Sequence, residues 1–334
     1  MKGTVLDGRY ELTDRLGDGG MGTVWVARNV AVGGAEVAVK LMHANLTGDA
    51  TAVGRFRNEA EIAASLGHPN IVRVFDFGET DDGAPFMVME RLHGESLAER
   101  LERDGALPPR EAAQVACTVL DALAAAHARD VLHRDLKPEN IFLAQEGDVV
   151  TPKILDFGVS KILGDDATRT RMTRTGAILG TPAYMSPEQV MGPTVDLRSD
   201  LWTMGVILYE LVTGHLPFDA PNYNAVLVRI ATSPPDPIDR YAPGLDAGLV
   251  AIIERAMARK PSSRFASAEQ MREALGAWLE GRASEVITTA PRVPTGDRST
   301  PFVYEQSETL PGHSLAPTAP TKHRRWIAVG IGCA

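Results

Sequence analysis

Two acidic residues, Asp135 and Asp156, stand 21 residues apart, each inside a short phrase of chemically capable residue types. The first phrase, residues 133–140, reads His-Arg-Asp-Leu-Lys-Pro-Glu-Asn, and the second, residues 156–158, reads Asp-Phe-Gly. One carboxylate can receive a proton from a hydroxyl, while the other carboxylate and the amide of Asn140 can hold Mg²⁺ against nucleotide phosphates. Few chemistries other than phosphoryl transfer need that set.

The residue types assign a role to each member of the two phrases. Asp135 is the expected proton acceptor, and Lys137 would neutralise charge on the γ-phosphate of ATP during transfer. Asp156 is the expected main ligand of Mg²⁺, with Asn140 on a second ion, and Mn²⁺ could substitute. Either phrase alone could be an ordinary polar turn, but their order and spacing together predict an ATP site.

A glycine cluster at residues 17–22 fits the pattern G-x-G-x-x-G, which by itself is a weak signal. A dinucleotide-binding fold needs a helix after such glycines, whereas residues 23–26, Thr-Val-Trp-Val, read as a strand. We therefore predict a strand-turn-strand flap whose backbone N–H groups approach phosphates, with Val24 over the adenine ring. A Cβ would keep the backbone away at Gly17, Gly19, Gly20 and Gly22.

Lys40 closes the apolar strand Val37-Ala38-Val39 and is the expected ligand of the α- and β-phosphates. Its ammonium needs an anionic partner to fix its direction. Glu59 is the preferred candidate on a helix predicted over residues 51–66. Glu61 competes, but it lies two residues further on and would point to another face of that helix.

The elements that must position these residues change character along the chain. Residues 8–45 read as short strands, with Gly33-Gly34 as a hairpin turn. After the helix at 51–66, strands are predicted at 71–77 and 85–90. From Ser96 onward the chain reads as mainly helical, with apolar periodicity at 111–128, 201–212, 246–258 and 268–280.

Composition limits the class of protein. The 334 residues suffice for one large two-lobed domain or two ordinary ones, and 44% are hydrophobic, as in a globular core. The net charge of −9 argues against a nucleic-acid partner. Cys117 and Cys333 make no disulfide framework, which suits a reducing cytosol, and the first residues carry no apolar signal sequence.

The C-terminal part differs in composition from the rest. Residues 281–321 are rich in proline and threonine and read as a flexible juxtamembrane linker. Residues 322–325, Lys-His-Arg-Arg, precede nine uncharged residues, 326–334. Nine residues cannot cross a bilayer, but a basic cluster followed by Trp and apolar residues is typical of the start of a transmembrane helix. We expect a span cut off at Ala334, with an incidental apolar tail as the alternative.

With these motifs the chain resembles the eukaryotic-type (Hanks-type) serine/threonine protein kinases, and most of all their bacterial membrane-anchored members. The resemblance covers residues 10–280 and includes Gly-Thr-Pro-Ala-Tyr-Met-Ser-Pro-Glu at 180–188 and Asp-Leu-Trp-Thr-Met-Gly at 200–205. It implies an α+β, two-lobed protein kinase fold. The small β-rich N-lobe, about 10–90, would hold one main helix, and the larger C-lobe, about 93–280, would be mainly helical.

The resemblance also places the adenine site and two structural roles. Met89 would be the gatekeeper behind the adenine, and the backbones of Glu90 and Leu92 would bond its edge. Asp200 would brace the catalytic loop, and Arg264 would pair with Glu188. The full set expected at ATP is Leu16, Gly17, Gly19, Gly20, Gly22, Val24, Ala38, Lys40, Met89, Glu90 and Leu92.

Two threonine roles follow from the same resemblance. Thr181 would bond Asp135 and Lys137, and Lys137 itself is typical of serine/threonine rather than tyrosine specificity. Thr173 and Thr175 would be autophosphorylated and pair with Arg134, ordering the activation loop.

The implied activity is ATP- and Mg²⁺-dependent phosphorylation of protein serines and threonines in bacterial signalling. Expected partners are protein substrates, a second copy of the chain and the inner membrane, which would anchor a cytoplasmic kinase domain.

Two other function classes share parts of this residue set. A pseudokinase scaffold, which binds nucleotide without catalysis, usually lacks at least one catalytic residue, yet Lys40, Asp135, Asn140 and Asp156 are all present. A small-molecule phosphotransferase on a similar fold is less favoured because the segment 180–188 and the threonine-rich loop before it suit a protein acceptor. The sequence therefore favours an active protein kinase.

Overall fold

A computed structural model describes residues 1–157, 182–192 and 195–282. The expected roles of Thr173, Thr175 and Thr181, and the linker and basic cluster at 281–334 beyond Arg282, lie outside the described residues. Within the described ranges, no helix has both the length and the apolar character needed to cross a membrane.

Six strands within residues 5–90 form one antiparallel sheet, in the order β1-β2-β3-β4-β6-β5. Side chains that alternate along these strands, such as Leu12, Val39 and Val88, fill a core on one face. The strands are β1 Val5–Leu6, β2 Tyr10–Asp18, β3 Gly22–Asn29, β4 Ala35–Met42, β5 Val74–Glu79 and β6 Pro85–Glu90.

One helix, α1 (Ala50–Leu66), packs beside this sheet, as the sequence predicted. It begins where the Asp49 side chain accepts two backbone N–H bonds, and it ends at Gly67 in the left-handed conformation, φ 56°. Arg129 Nη1 holds the far end by donating to the carbonyl oxygens of Ser65 at 2.7 Å and Leu66 at 2.6 Å. Arg129 follows the third helix of the chain, so α1 is tied at its C-terminus to the second lobe.

The second half is mainly helical and is built around α5 (Arg198–Thr213), which is buried along nearly its whole length. Trp202 and Tyr209 are its largest fully buried side chains. The other helices among the described residues are α2 Leu97–Asp104, α3 Pro109–His127, α4 Pro187–Met191, α6 Tyr223–Thr232, α7 Ala247–Ala256 and α8 Ala268–Leu279.

A buried ion pair between Arg264 and Glu188 links two segments of the second lobe. The Arg264 guanidinium, with no exposed surface, donates to both carboxylate oxygens of Glu188 at 2.7 and 2.8 Å. Burial alone would raise the pKa of Glu188, but the bonds from Arg264 and Ser199 hold that pKa below its usual value. This contact fixes α4, and with it residues 182–192, against α5 and the chain near Arg264.

The second lobe is mainly helical, as expected, and the structure adds a small sheet at its start, where β7 (Gly94–Ser96), β8 (Ile141–Glu146) and β9 (Val149–Ile154) form three antiparallel strands. One strand boundary is corrected. The strand predicted over 71–77 begins only at Val74. Residues 70–72 instead exchange backbone bonds with Ile154 of β9, so they join the lobes rather than extend β5.

Candidate active site

The catalytic loop that carries Asp135 is held through its backbone by Asp200 of α5. The Asp200 carboxylate accepts the N–H groups of His133 at 2.9 Å and Arg134 at 2.8 Å, and His127 Nε2 donates to it at 2.8 Å. Burial would raise the pKa of Asp200, but these donors lower it, so the group stays ionised. Asp135 itself is exposed at the end of the loop thus fixed.

Arg134 adopts an unusual backbone conformation next to Asp135. Its φ of 62° places it in the left-handed region, where a residue with a Cβ is uncommon. Its N–H is held by Asp200, and its carbonyl oxygen accepts from Gln189 Nε2 of α4 at 2.8 Å. The surrounding contacts therefore determine the direction in which Asp135 leaves the backbone.

The two expected metal ligands lie at the open end of the β8–β9 hairpin. Ile141 pairs with Ile154, and the N–H of Leu155 donates to the carbonyl oxygen of Asn140 at 2.9 Å. The NH₂ group of Asn140 donates to the backbone oxygen of Asp135 at 3.0 Å, which leaves the amide oxygen as its ligand atom. Mg²⁺ is usually held by one or two such oxygens plus phosphates, so Asn140 and Asp156 fit this ion.

Lys40 joins the two lobes at the site. Its Nζ lies 2.5 Å from Glu59 Oε1 and 3.2 Å from Asp156 Oδ2. Glu59 is buried on the inner face of α1, whereas Glu61 is exposed on another face. The structure therefore brings together Lys40, Glu59 and Asp156 and leaves Glu61 apart.

The three charges at this point shift one another's pKa values. Burial by itself would lower the pKa of Lys40, but the carboxylates of Asp156 and Glu59 outweigh it and raise that pKa. Burial, and then the negative charge of Asp156, raise the pKa of Glu59. Burial would also raise the pKa of Asp156, yet Lys40 brings it below its usual value. Lys40 thus keeps Asp156 anionic, which is the state a cation requires.

The glycine stretch forms the predicted strand-turn-strand flap between β2 and β3. Its turn is closed by the Gly19 N–H, which donates to the Gly22 carbonyl oxygen at 2.8 Å. A Cβ on Gly22 would lie 2.3 Å from the Leu41 carbonyl oxygen, so only glycine permits this approach of β3 to β4. Lys40 lies opposite Val24 in the same strand pair, directly beneath the flap.

Apolar residues of both lobes, including two that flank the flap, pack as one cluster. Five of them were expected from the sequence and its resemblance: Leu16, Val24, Ala38, Met89 and Leu92. Val72, Val74 and Leu155 were missed, although Leu155 stands directly before Asp156 in the sequence. Lys153 Nζ holds the carboxylate of Glu90 at 2.8 and 3.0 Å and so fixes the segment that joins the lobes.

A small recess lies beside the loop that carries Asp135. Asp135 and Lys137 line this recess together with Tyr184 and Met185. Tyr184 is buried, and its hydroxyl donates to Glu210 Oε2 at 2.7 Å. The expected residue Thr181 directly precedes this part of the described chain but is not among its residues.

Glu210 gives this region a pH dependence. Burial, opposed by the Tyr184 hydrogen bond and aided by Glu139, raises the pKa of Glu210 from 4.5 to about 7. The folded state therefore holds a proton that the unfolded state loses between these values, so the free energy of unfolding falls as pH rises from 4.5 to 7. We expect the stability of Glu210→Gln relative to the unaltered chain to rise by about 2 kcal/mol between about pH 5 and pH 8. Urea unfolding at both pH values measures it, and an unchanged difference would contradict it.

Comparison with known proteins agrees with this geometry. The profile of the protein kinase domain family matches residues 10–275. The chain is 40% identical over 275 residues to serine/threonine-protein kinase pkn2 of Myxococcus xanthus, which covers 82% of this chain and 33% of that protein. It is 36% identical over 336 residues to serine/threonine-protein kinase PknB of Mycobacterium leprae, which covers 97% of this chain and 52% of that protein.

The fold has solved relatives as well. The crystal structure of the PknI kinase domain of Mycobacterium tuberculosis aligns with a TM-score of 0.64 and 28% identity, over 83% of this chain and 98% of that one. The chain spans between about a third and a half of the length of pkn2 and PknB.

Proposed function

Because the chain belongs to the protein kinase domain family, we propose that it transfers the γ-phosphoryl group of ATP to serine and threonine hydroxyls of proteins. The observation that carries this proposal is the contact of Lys40 with both Glu59 and Asp156. A nucleotide-binding scaffold without catalysis has no need of both an ionised Asp156 and a fixed loop that carries Asp135.

Some residues of the site bind ATP, and others take up the proton or offset charge during transfer. The flap amides and Lys40 hold the phosphates of ATP, and the adenine lies against the apolar cluster that includes Ala38 and Met89. The acceptor oxygen bonds to the γ-phosphorus as the bond to ADP breaks, and its proton passes to a carboxylate oxygen of Asp135. Lys137, in the same recess, offsets the charge of the moving phosphoryl group. Mg²⁺, held by Asn140 and Asp156, supplies further charge neutralisation when bound.

The proposal is tested by incubating the chain with radiolabelled ATP, Mg²⁺ and a generic protein acceptor. We expect label on serine and threonine, and none on tyrosine, with label in the chain itself on the peptide that holds Thr173 and Thr175. Nucleotide binding without transfer would favour the scaffold. Transfer to a small molecule alone would favour a small-molecule phosphotransferase. Label confined to the threonines of residues 281–321 would contradict activation-loop phosphorylation.

We further propose that the kinase domain faces the cytoplasm and is anchored to the inner membrane near residues 322–334. The support is the basic cluster at 322–325 followed by uncharged residues. Recovery of the full-length gene product in the soluble fraction after lysis would contradict it.

A further inference from the structure

An acidic residue, Asp18, sits inside the phosphate-binding flap, between Gly17 and Gly19. ATP is a polyanion, so a carboxylate at this point opposes its binding unless the charge is held and partly neutralised. The structure supplies two partners for it. Thr23 Oγ1 donates to Asp18 Oδ1 at 2.7 Å, and the Arg15 guanidinium pairs with Oδ2.

Thr23 also contacts His43, which connects Asp18 to a third residue. Asp18 and Thr23 lie opposite each other across the β2–β3 pair. The single hydroxyl hydrogen of Thr23 is donated to Asp18, so its oxygen is the acceptor in the 3.3 Å contact with His43 Nε2. His43 Nε2 therefore carries a hydrogen, and it lies 3.9 Å from Asp18 Oδ1.

His43 also holds the tip of the flap. It follows the last residue of β4, and its backbone N–H donates to the carbonyl oxygen of Met21 at 3.0 Å. The same residue thus fixes the turn through its main chain and Asp18 through Thr23. Movement of the flap and reorientation of the Asp18 carboxylate are consequently coupled.

We propose that Asp18, Thr23 and His43 form a positioning network that restrains an opposing charge in the flap and thereby sets its affinity for ATP. This inference rests on the proposed function, because it takes the phosphates of ATP as the ligand of the flap. Loss of the Thr23 hydroxyl leaves the Asp18 carboxylate with one donor fewer, still paired with Arg15 at Oδ2, so that it can turn further toward the phosphates. The effect therefore falls on the dissociation constant and KM for ATP rather than on kcat.

The test is ATP affinity of the intact chain, measured by displacement of a fluorescent nucleotide, without any need for turnover. Thr23→Val is expected to weaken ATP binding about threefold to tenfold, because it removes a hydrogen bond to a charged group. Thr23→Ser keeps the hydroxyl and is expected to retain the affinity. Thr13→Val is the matched control, since Thr13 lies on the same strand pair and bonds only the backbone of Val26 within the described contacts.

Repeating Thr23→Val in a chain that also carries Asp18→Asn distinguishes an effect on the Asp18 charge from a general loss of flap structure. In a chain with Asp18→Asn, Thr23→Val is expected to have no effect on ATP affinity, because the opposing charge is already gone. An equal loss in both backgrounds would overturn the network, as would unaltered affinity in Thr23→Val alone. A chain that binds no ATP in any form would overturn the proposed function and this inference with it.

Discussion

Replacing Asp135 with asparagine is expected to lower kcat by about 10³-fold, because a positioned proton acceptor contributes about 10²- to 10⁴-fold. The substitution keeps the shape of the side chain. The loop is fixed by Asp200 through the N–H groups of His133 and Arg134, and Asn140 bonds the Asp135 backbone oxygen. Because none of these contacts uses the Asp135 carboxylate, the loop and the affinity for ATP should persist.

The matched control is Asp130→Asn in the same assay of initial rates. Asp130 is an exposed carboxylate five residues earlier, and its φ of 58° suits asparagine as well as aspartate. We expect its rate to stay within about twofold of the unaltered chain, as for other surface substitutions. If Asp135→Asn kept more than about a tenth of the rate, Asp135 would not be the proton acceptor.

Removing the Lys40 ammonium is the second change with a large expected effect. Lys40→Met keeps the length of the side chain, and we expect kcat/KM for ATP to fall about 10²- to 10³-fold, as when other preorganised charge-stabilising donors are removed. The folded state should survive, because the raised pKa of Glu59 lets this buried carboxyl take up a proton when its partner is lost. Thermal unfolding alongside the kinetics checks that point.

Two glutamates of α1, Glu59 and Glu61, provide a variant and a matched control for the role of the Lys40 contact. Glu59→Gln weakens the 2.5 Å ion pair and is expected to lower kcat/KM about 10- to 100-fold, which corresponds to about 1.4–2.7 kcal/mol. Glu61→Gln changes an exposed side chain and should leave the kinetics unaltered. Equal losses in the two variants would show that Lys40 is not held in place by Glu59.

The parts that sequence could predict are those encoded locally. Helix α1 was readable because Phe56, Ala60 and Ala63 repeat at helical spacing, and that face also carries Glu59. The candidate catalytic residues and the candidate metal ligands occupy the continuous phrases 133–140 and 156–158. The two-lobed fold followed from resemblance once those phrases were recognised.

The missed parts depend on contacts between distant residues. β7 consists of Gly94, Glu95 and Ser96, whose composition does not favour a strand, and pairing with β8 creates it. Val72 joins the apolar cluster with Ala38 and Met89 because its N–H donates to the carbonyl oxygen of Ile154, 82 residues further along the chain. No local pattern distinguishes that apolar residue from its neighbour in the core.

The bonds from Arg129 to the last carbonyls of α1 make that helix a lever with a fixed end. Glu59 lies seven residues before Leu66, which at 1.5 Å per residue is about 10 Å from the fixed end. A tilt of about 20° would therefore displace the Glu59 carboxylate by about 3–4 Å, more than its contact with Lys40 can stretch, while Ser65 and Leu66 barely move. A pivot of α1 about this end would therefore separate Glu59 from Lys40 while the bonds from Arg129 to α1 stayed in place.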